Sequence, residues 1–173
     1  MMFQNPEIPL EELPTAVDLN WHALDPTYIK LLRLQLGLFI IIPLVVITFV
    51  TREAGAEMPY LLIPYGILAA IAIWLYVFAA ISVRHCGYVL RDKDMLFKKG
   101  VIWQSVVAVP FNRIQHVETS NTPFDRRFGL ASLKLFTAGG SGGDLKIDGL
   151  PANTAEQLRL HILEKTGADI EDA

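Results

Sequence analysis

The sequence predicts a two-helix transmembrane hairpin followed by a small α+β, mainly-β domain closed by one C-terminal helix. Three observations predict it. Two long apolar runs, Leu34–Thr51 and Met58–Val83, are separated only by Arg52–Glu57. Six short runs rich in Val, Ile, Leu and Phe follow, with turn residues between them. The chain then passes into a segment whose apolar residues recur at helical spacing.

The second apolar run has no charged residue across 26 positions, more than the roughly 20 a helix needs to cross a bilayer core. The first is shorter, with Gln35 near its start and Arg33 just before it. A connection this short predicts a tight turn, and a hairpin returns everything after Val83 to the side of the N-terminus. Pro43, Pro59 and Pro64 fall inside the runs; a span tolerates them because a lost backbone bond can be met locally. Gly66, Ala69, Ala70 and Ala72 are small enough for close helix contact, and the expectation is that they pack against the first span. No acidic residue lies in either span, which argues against a proton or cation path.

Positive charge near the span ends sets orientation. Lys30 and Arg33 flank the hairpin on one side, and Arg84, Arg91, Lys93, Lys98 and Lys99 on the other. The connecting loop has only Arg52, beside Glu53 and Glu57. Both termini are therefore expected in the cytoplasm, with the hairpin in the cell's inner membrane. Residues 1–30 contain no apolar stretch of signal-peptide type, so the first span is expected to act as an uncleaved anchor.

The pattern divides the chain into an acidic, Pro-rich segment at 1–25, the hairpin at 26–83, a domain at 84–167 and a tail at 168–173. Asp25-Pro26 predicts a helix start, since Asp caps and Pro suits the first helical position. Trp21 is suited to the bilayer interface. The predicted strands are Gly87–Arg91, Met95–Lys99, Val106–Phe111, Arg113–Ser120, Ala131–Phe136 and Asp144–Asp148. Alternation, as in Leu133 and Leu135 against Lys134, marks antiparallel strands with one buried face. Thr122–Phe128 predicts a short helical turn. Asn153 with Glu156 suggests a capping box. Ala155, Leu158, Ile162 and Lys165 fall at helical spacing, and Gly167 ends that helix.

A net charge of −3 argues against a nucleic-acid binder driven by bulk electrostatics. The single cysteine, Cys86, cannot form an internal disulfide; it reads as a small residue at a strand start. His22, His85, His116 and His161 are scattered, with no metal-ligand spacing. The Gly139–Gly143 stretch lacks the Lys-Ser/Thr of a phosphate-binding loop and no helix follows it, so it reads as a hairpin loop. No nucleophile–base pair stands out, and neither a cofactor nor a metal is expected. The candidate contact residues are two basic pairs, Lys98-Lys99 and Arg126-Arg127. Near a bilayer each basic residue is worth about 1 kcal/mol towards anionic headgroups. An ordinary solvated surface is the alternative for the first pair. For the second, Phe124, Phe128 and Leu130 are expected to anchor the turn on the core, and one arginine could pair with Asp125 or Glu118.

Taken together, Val106–Phe111, Arg113-Ile114-Gln115-His116-Val117-Glu118, Arg126-Arg127-Phe128-Gly129-Leu130-Ala131, Thr137-Ala138-Gly139-Gly140 and Ile147-Asp148-Gly149-Leu150 resemble the bacterial pleckstrin-homology (PH)-like domain of YdbS-type membrane proteins. The two spans match that layout, so the resemblance covers about residues 25–166. It implies a strongly bent antiparallel barrel or sandwich of seven strands with a C-terminal capping helix. Six runs are visible, and Val101-Ile102-Trp103 is the candidate for the missing strand. The resemblance also implies a non-enzymatic binding or scaffold module. Its expected partners are the bilayer and a protein, such as a larger membrane protein carrying several PH-like domains. Phosphoinositide-binding PH domains use basic residues in the first hairpin, where this chain has Asp92-Lys93-Asp94.

Overall fold

A computed structural model describes residues 19–55, 58–138 and 143–167. Most of the acidic segment (1–18), residues 56–57 of the hairpin connection, most of the glycine-rich loop (139–142) and the tail (168–173) lie outside the described residues.

Helix α1 spans Thr27–Glu53 and α2 spans Met58–Arg84. The Asp25 carboxylate accepts the Thr27 amide at 2.7 Å, which supplies the predicted cap. Pro43 and Pro64 are contained without ending either helix. Tyr65 donates its hydroxyl to Thr48 at 3.0 Å, and the Arg33 guanidinium lies 3.9 Å from the Tyr76 ring centre. The later residue of α1 thus meets the earlier one of α2, so the helices run antiparallel. Both are long and apolar enough to cross a membrane. Their apolar side chains face outward, with Phe39 and Leu62 each 74% exposed, as lipid-facing residues must be. Of the small residues, Ala72 shares a cleft with Arg33 and Gly37 of α1. Gly66, Ala69 and Ala70 are exposed instead, which corrects the expectation that the whole stretch packs on α1.

The domain is two antiparallel sheets. The first has order β1 (His22–Ala23), β2 (Gly87–Leu90), β3 (Asp94–Lys99) and β4 (Ser105–Pro110). The second contains β5 (Ile114–Ser120), β6 (Leu130–Thr137) and β7 (Leu145–Pro151). The short helix α3 (Pro123–Phe128) joins β5 to β6, and α4 (Ala152–Thr166) lies over the second sheet. Among the described residues there are seven strands, consistent with the PH-like expectation, but they form two separate sheets and no closed barrel, and the seventh strand is not Val101-Ile102-Trp103. Lys99 pairs with Ser105, so residues 100–104 must reverse the chain between β3 and β4. The extra strand is β1, from before the hairpin, which pairs His22 with Tyr88 and Ala23 with Gly87.

The core draws on both ends of the hairpin. Leu24 before α1 and Val83 near the end of α2 are buried with Met95, Phe97, Leu133, Leu135, Ile147 and Leu150. Burying each such large side chain contributes about 1.5–3 kcal/mol. Ala155, Leu158 and Ile162 of α4 complete it, at the predicted spacing. The Asn153–Glu156 capping box does not form. Helix α4 begins two residues earlier than that box requires, directly after Pro151. Its first amide, that of Ala152, donates to the Gly129 carbonyl at 3.0 Å, and Glu156 pairs with Arg159 at 2.7 Å.

Candidate functional site

The surface of interest begins where the hairpin enters the domain. Tyr28 and Leu31 of α1 border a small polar cleft with Gln35, Thr122, Asp125, Ser132 and Asp148. Ser132, itself buried, donates to Asp148 at 2.7 Å, and Lys146 pairs with the same carboxylate at 2.9 Å. These bonds satisfy polar groups that would otherwise be costly at a partly dry joint. Both bonds lie within the second sheet, on the wall of the cleft that faces the first turns of α1.

Helix α3 lies at that joint. Thr122 and Asp125 form a reciprocal capping box: the Thr122 amide donates to Asp125 at 2.8 Å and the Asp125 amide donates to Thr122 at 3.1 Å. Gly129 closes the helix with φ 69°, a left-handed cap. This is the tight turn expected there. Arg126 and Arg127 project from its exposed side. Among the described residues neither forms an ion pair. Asp125 is occupied by its cap, and Glu118 is exposed on β5 without engaging them. The expected arginine pairing is thus corrected. Leu130 is buried and Phe128 half-buried, but Phe124 is 43% exposed; it faces outward instead of anchoring the turn.

Lys98 and Lys99 lie on the first sheet, near the end of α2. The β2–β3 register sets Lys98 opposite Gly87, three residues beyond Arg84. Lys98 is half-buried, its ammonium 4.7 Å from the centre of the Trp21 ring, while Lys99 is exposed. The two basic pairs are not brought together. Lys98-Lys99 lies on β3 of the first sheet and Arg126-Arg127 on helix α3, which joins two strands of the second sheet.

The sequence left two surfaces unidentified. The first is the β3–β4 turn, where Ile102 is 70% and Trp103 86% exposed. An apolar Val-Ile-Trp triplet reads as a strand, and only the Lys99–Ser105 pairing reveals a turn. The second is a cleft of about 420 Å³ at the opposite end of the first sheet, lined by Asp92, Lys93, Pro110, Phe111, Asn112 and Lys165. It joins the end of β4 to the last turn of α4. Strand β4 is the terminal strand of its sheet, and Val106 on it is 49% exposed.

The histidines remain separate. His22 packs 5.5 Å from Tyr88 and His116 5.6 Å from Phe136, ring centre to ring centre, while His85 Nδ1 lies 2.8 Å from the Ile81 carbonyl oxygen. His161 is half-buried, where the helix position predicts a solvated side chain. Among the described residues no group of three or more His, Cys, Asp or Glu could hold a metal. Cys86 donates its thiol to the Ser82 carbonyl at 3.3 Å, and burial pushes that thiol up.

The family model for the bacterial PH domain matches residues 31–166. The chain is also 32% identical over 125 residues to the transmembrane protein YdbS of Bacillus subtilis (strain 168), which covers 68% of this chain and 76% of that one. No solved structure matches.

Proposed function

This chain belongs to the bacterial PH domain family, and from that membership we propose that it is a membrane-anchored, non-enzymatic binding module that assembles with another membrane protein at the cytoplasmic face. The observation that carries the reading is the open edge of β4. Its outer side has no strand partner among the described residues, and its burial is slight along most of its length. A free edge offers a row of backbone donors and acceptors to an extended segment. The adjoining cleft at Phe111 and Lys165 offers a place for the segment's end. The excess of Lys and Arg on the domain side of the spans supports the cytoplasmic placement.

The test is affinity capture of the full chain from detergent-solubilised membranes, before and after Val106→Lys. Wild type should recover a second membrane protein in stoichiometric amount. The variant should lose it while keeping its unfolding midpoint, because Val106 is half exposed. Recovery of the chain alone, or capture indifferent to Val106→Lys, would count against the edge.

A second reading has its own observation. Arg126 and Arg127 are exposed and free of ion pairs among the described residues, on a helix seated against α1. That position suits contact with anionic headgroups. The double change Arg126→Glu and Arg127→Glu should then abolish the preference of the reconstituted chain for phosphatidylglycerol over phosphatidylcholine, in a salt-sensitive manner. An unchanged preference removes this reading.

A further inference from the structure

The β3–β4 turn is aimed back towards the membrane. Helix α2 ends at Arg84 and β2 starts at Gly87, so the start of β2 lies next to the end of the span. Strand β3 returns antiparallel to β2, with Lys98 level with Gly87. The turn after Lys99 therefore extends past the start of β2, on the side from which the chain left the span. The electrostatics of the Cys86 thiol agree with this placement: burial raises its pKa, while the nearby Gly100 backbone and the Lys99 charge lower it.

The most exposed apolar pair of the domain lies at this place. Ile102 is 70% and Trp103 86% exposed, and Val106 follows at 49%. Lys98 and Lys99 stand at the base of the turn, and Trp21 lies beneath Lys98. An apolar tip above a basic collar matches the layering of a bilayer surface. Indole rings prefer the headgroup level, and lysine ammonium groups remain in the polar layer while their stems cover apolar surface. The bilayer is also the one surface that the hairpin already brings to this end of the domain.

We infer that Ile102 and Trp103 insert into the headgroup–acyl boundary of the same bilayer that holds the hairpin, as a third membrane attachment that fixes the tilt of the domain. The inference rests on the hairpin spanning the membrane. It does not depend on a protein partner or on Arg126 and Arg127.

The test uses the full chain in phosphatidylcholine–phosphatidylglycerol vesicles. Cys86→Ser removes the single native thiol and keeps a donor to Ser82. An environment-sensitive nitrobenzoxadiazole probe is then attached singly at Ile102→Cys, at Asp92→Cys on the opposite end of β2, and at Ile73→Cys within α2. Ile102 and Asp92 are exposed, so both replacements leave the core untouched. The probe at 102 should show a blue-shifted emission, quenching by lipids spin-labelled near the top of the acyl chain, and loss of quenching by iodide present on both sides of the bilayer. The probe at 92 should keep full iodide quenching. Iodide quenching at 102 equal to that at 92 would overturn the inference. So would a blue shift at 102 that no lipid quencher affects, because the tip would then be covered by protein. Lipid quenching at 73 assigns either failure to the tip alone; its absence would overturn the spanning hairpin and the insertion together.

Discussion

Gly149 of β7 lies directly against the ring of Tyr28 in the first turn of α1. A Cβ added at Gly149 would overlap the Cγ and Cδ1 atoms of that ring, and the backbone there has φ +77°. One residue thus combines two demands for glycine: a left-handed conformation and an approach with no room for a side chain. The Asp25 amide also donates to the Gly149 carbonyl at 3.0 Å, so this point couples the hairpin to the second sheet.

Gly149→Ala should therefore destabilise the chain by about 1–3 kcal/mol, the range for strained backbone and a core overlap. Urea unfolding in micelles would measure it. Combining it with Tyr28→Ala should cost less than the sum of the two single changes, because one removes the obstacle met by the other. Strict additivity would mean that the ring and the glycine do not interact.

Leu133 is fully buried where β6 faces the core. Leu133→Ala should cost about 2–5 kcal/mol, whereas Phe124→Ala, on the exposed side of α3, should stay within about 0.5 kcal/mol. Equal losses would contradict the outward position of Phe124.

Asp125→Ala removes one side of the capping box with Thr122 and should cost about 0.5–2 kcal/mol. The change should also raise hydrogen exchange at Arg126 and Arg127, since their helix is short and depends on its cap. Exchange that stays as slow as in wild type would show that packing on α1 alone holds α3.

The Arg159 guanidinium holds the Glu156 carboxyl below the usual glutamate range. A depressed folded-state value gives stability that is present above the unfolded value and lost as pH falls through the folded one. The affected window is acidic, below about pH 4.3. Because the pair is partly exposed, it should be worth only about 0.3–0.5 kcal/mol. Glu156→Gln should remove that increment at neutral pH and make no difference in strong acid. A difference that grows on acidification would reverse the sign argued here.

The hairpin and most of the strands were legible because their signals are local. An uncharged run long enough to cross a bilayer, or Leu133 and Leu135 alternating with Lys134, can be read without knowing what lies opposite. The buried stripe of α4 was legible for the same reason. Strand β1 was not. Two residues ahead of a span carry no periodicity, and His22 becomes strand only because Tyr88 lies beside it. The turn at Ile102 and Trp103 was misread for a related reason: composition favours a strand, and the pairing of Lys99 with Ser105 overrides it. The candidate basic pairs were visible as charge, but their separation onto β3 and α3 and the engagement of Lys98 by Trp21 are products of tertiary structure.

The pairing of His22 with Tyr88 has a consequence for biogenesis. The entire hairpin lies between these two residues, so β1 leaves the ribosome well before its neighbour and must wait for it. The first sheet can add that strand only after α2 has re-emerged on the side where β1 remained. A chain with one span inserted and the other left behind would strand His22 and Tyr88 on opposite faces of the bilayer, with Leu24 missing from the core. Completion of the first sheet therefore requires that both spans be threaded, and a mis-threaded chain is left with an unfinished domain.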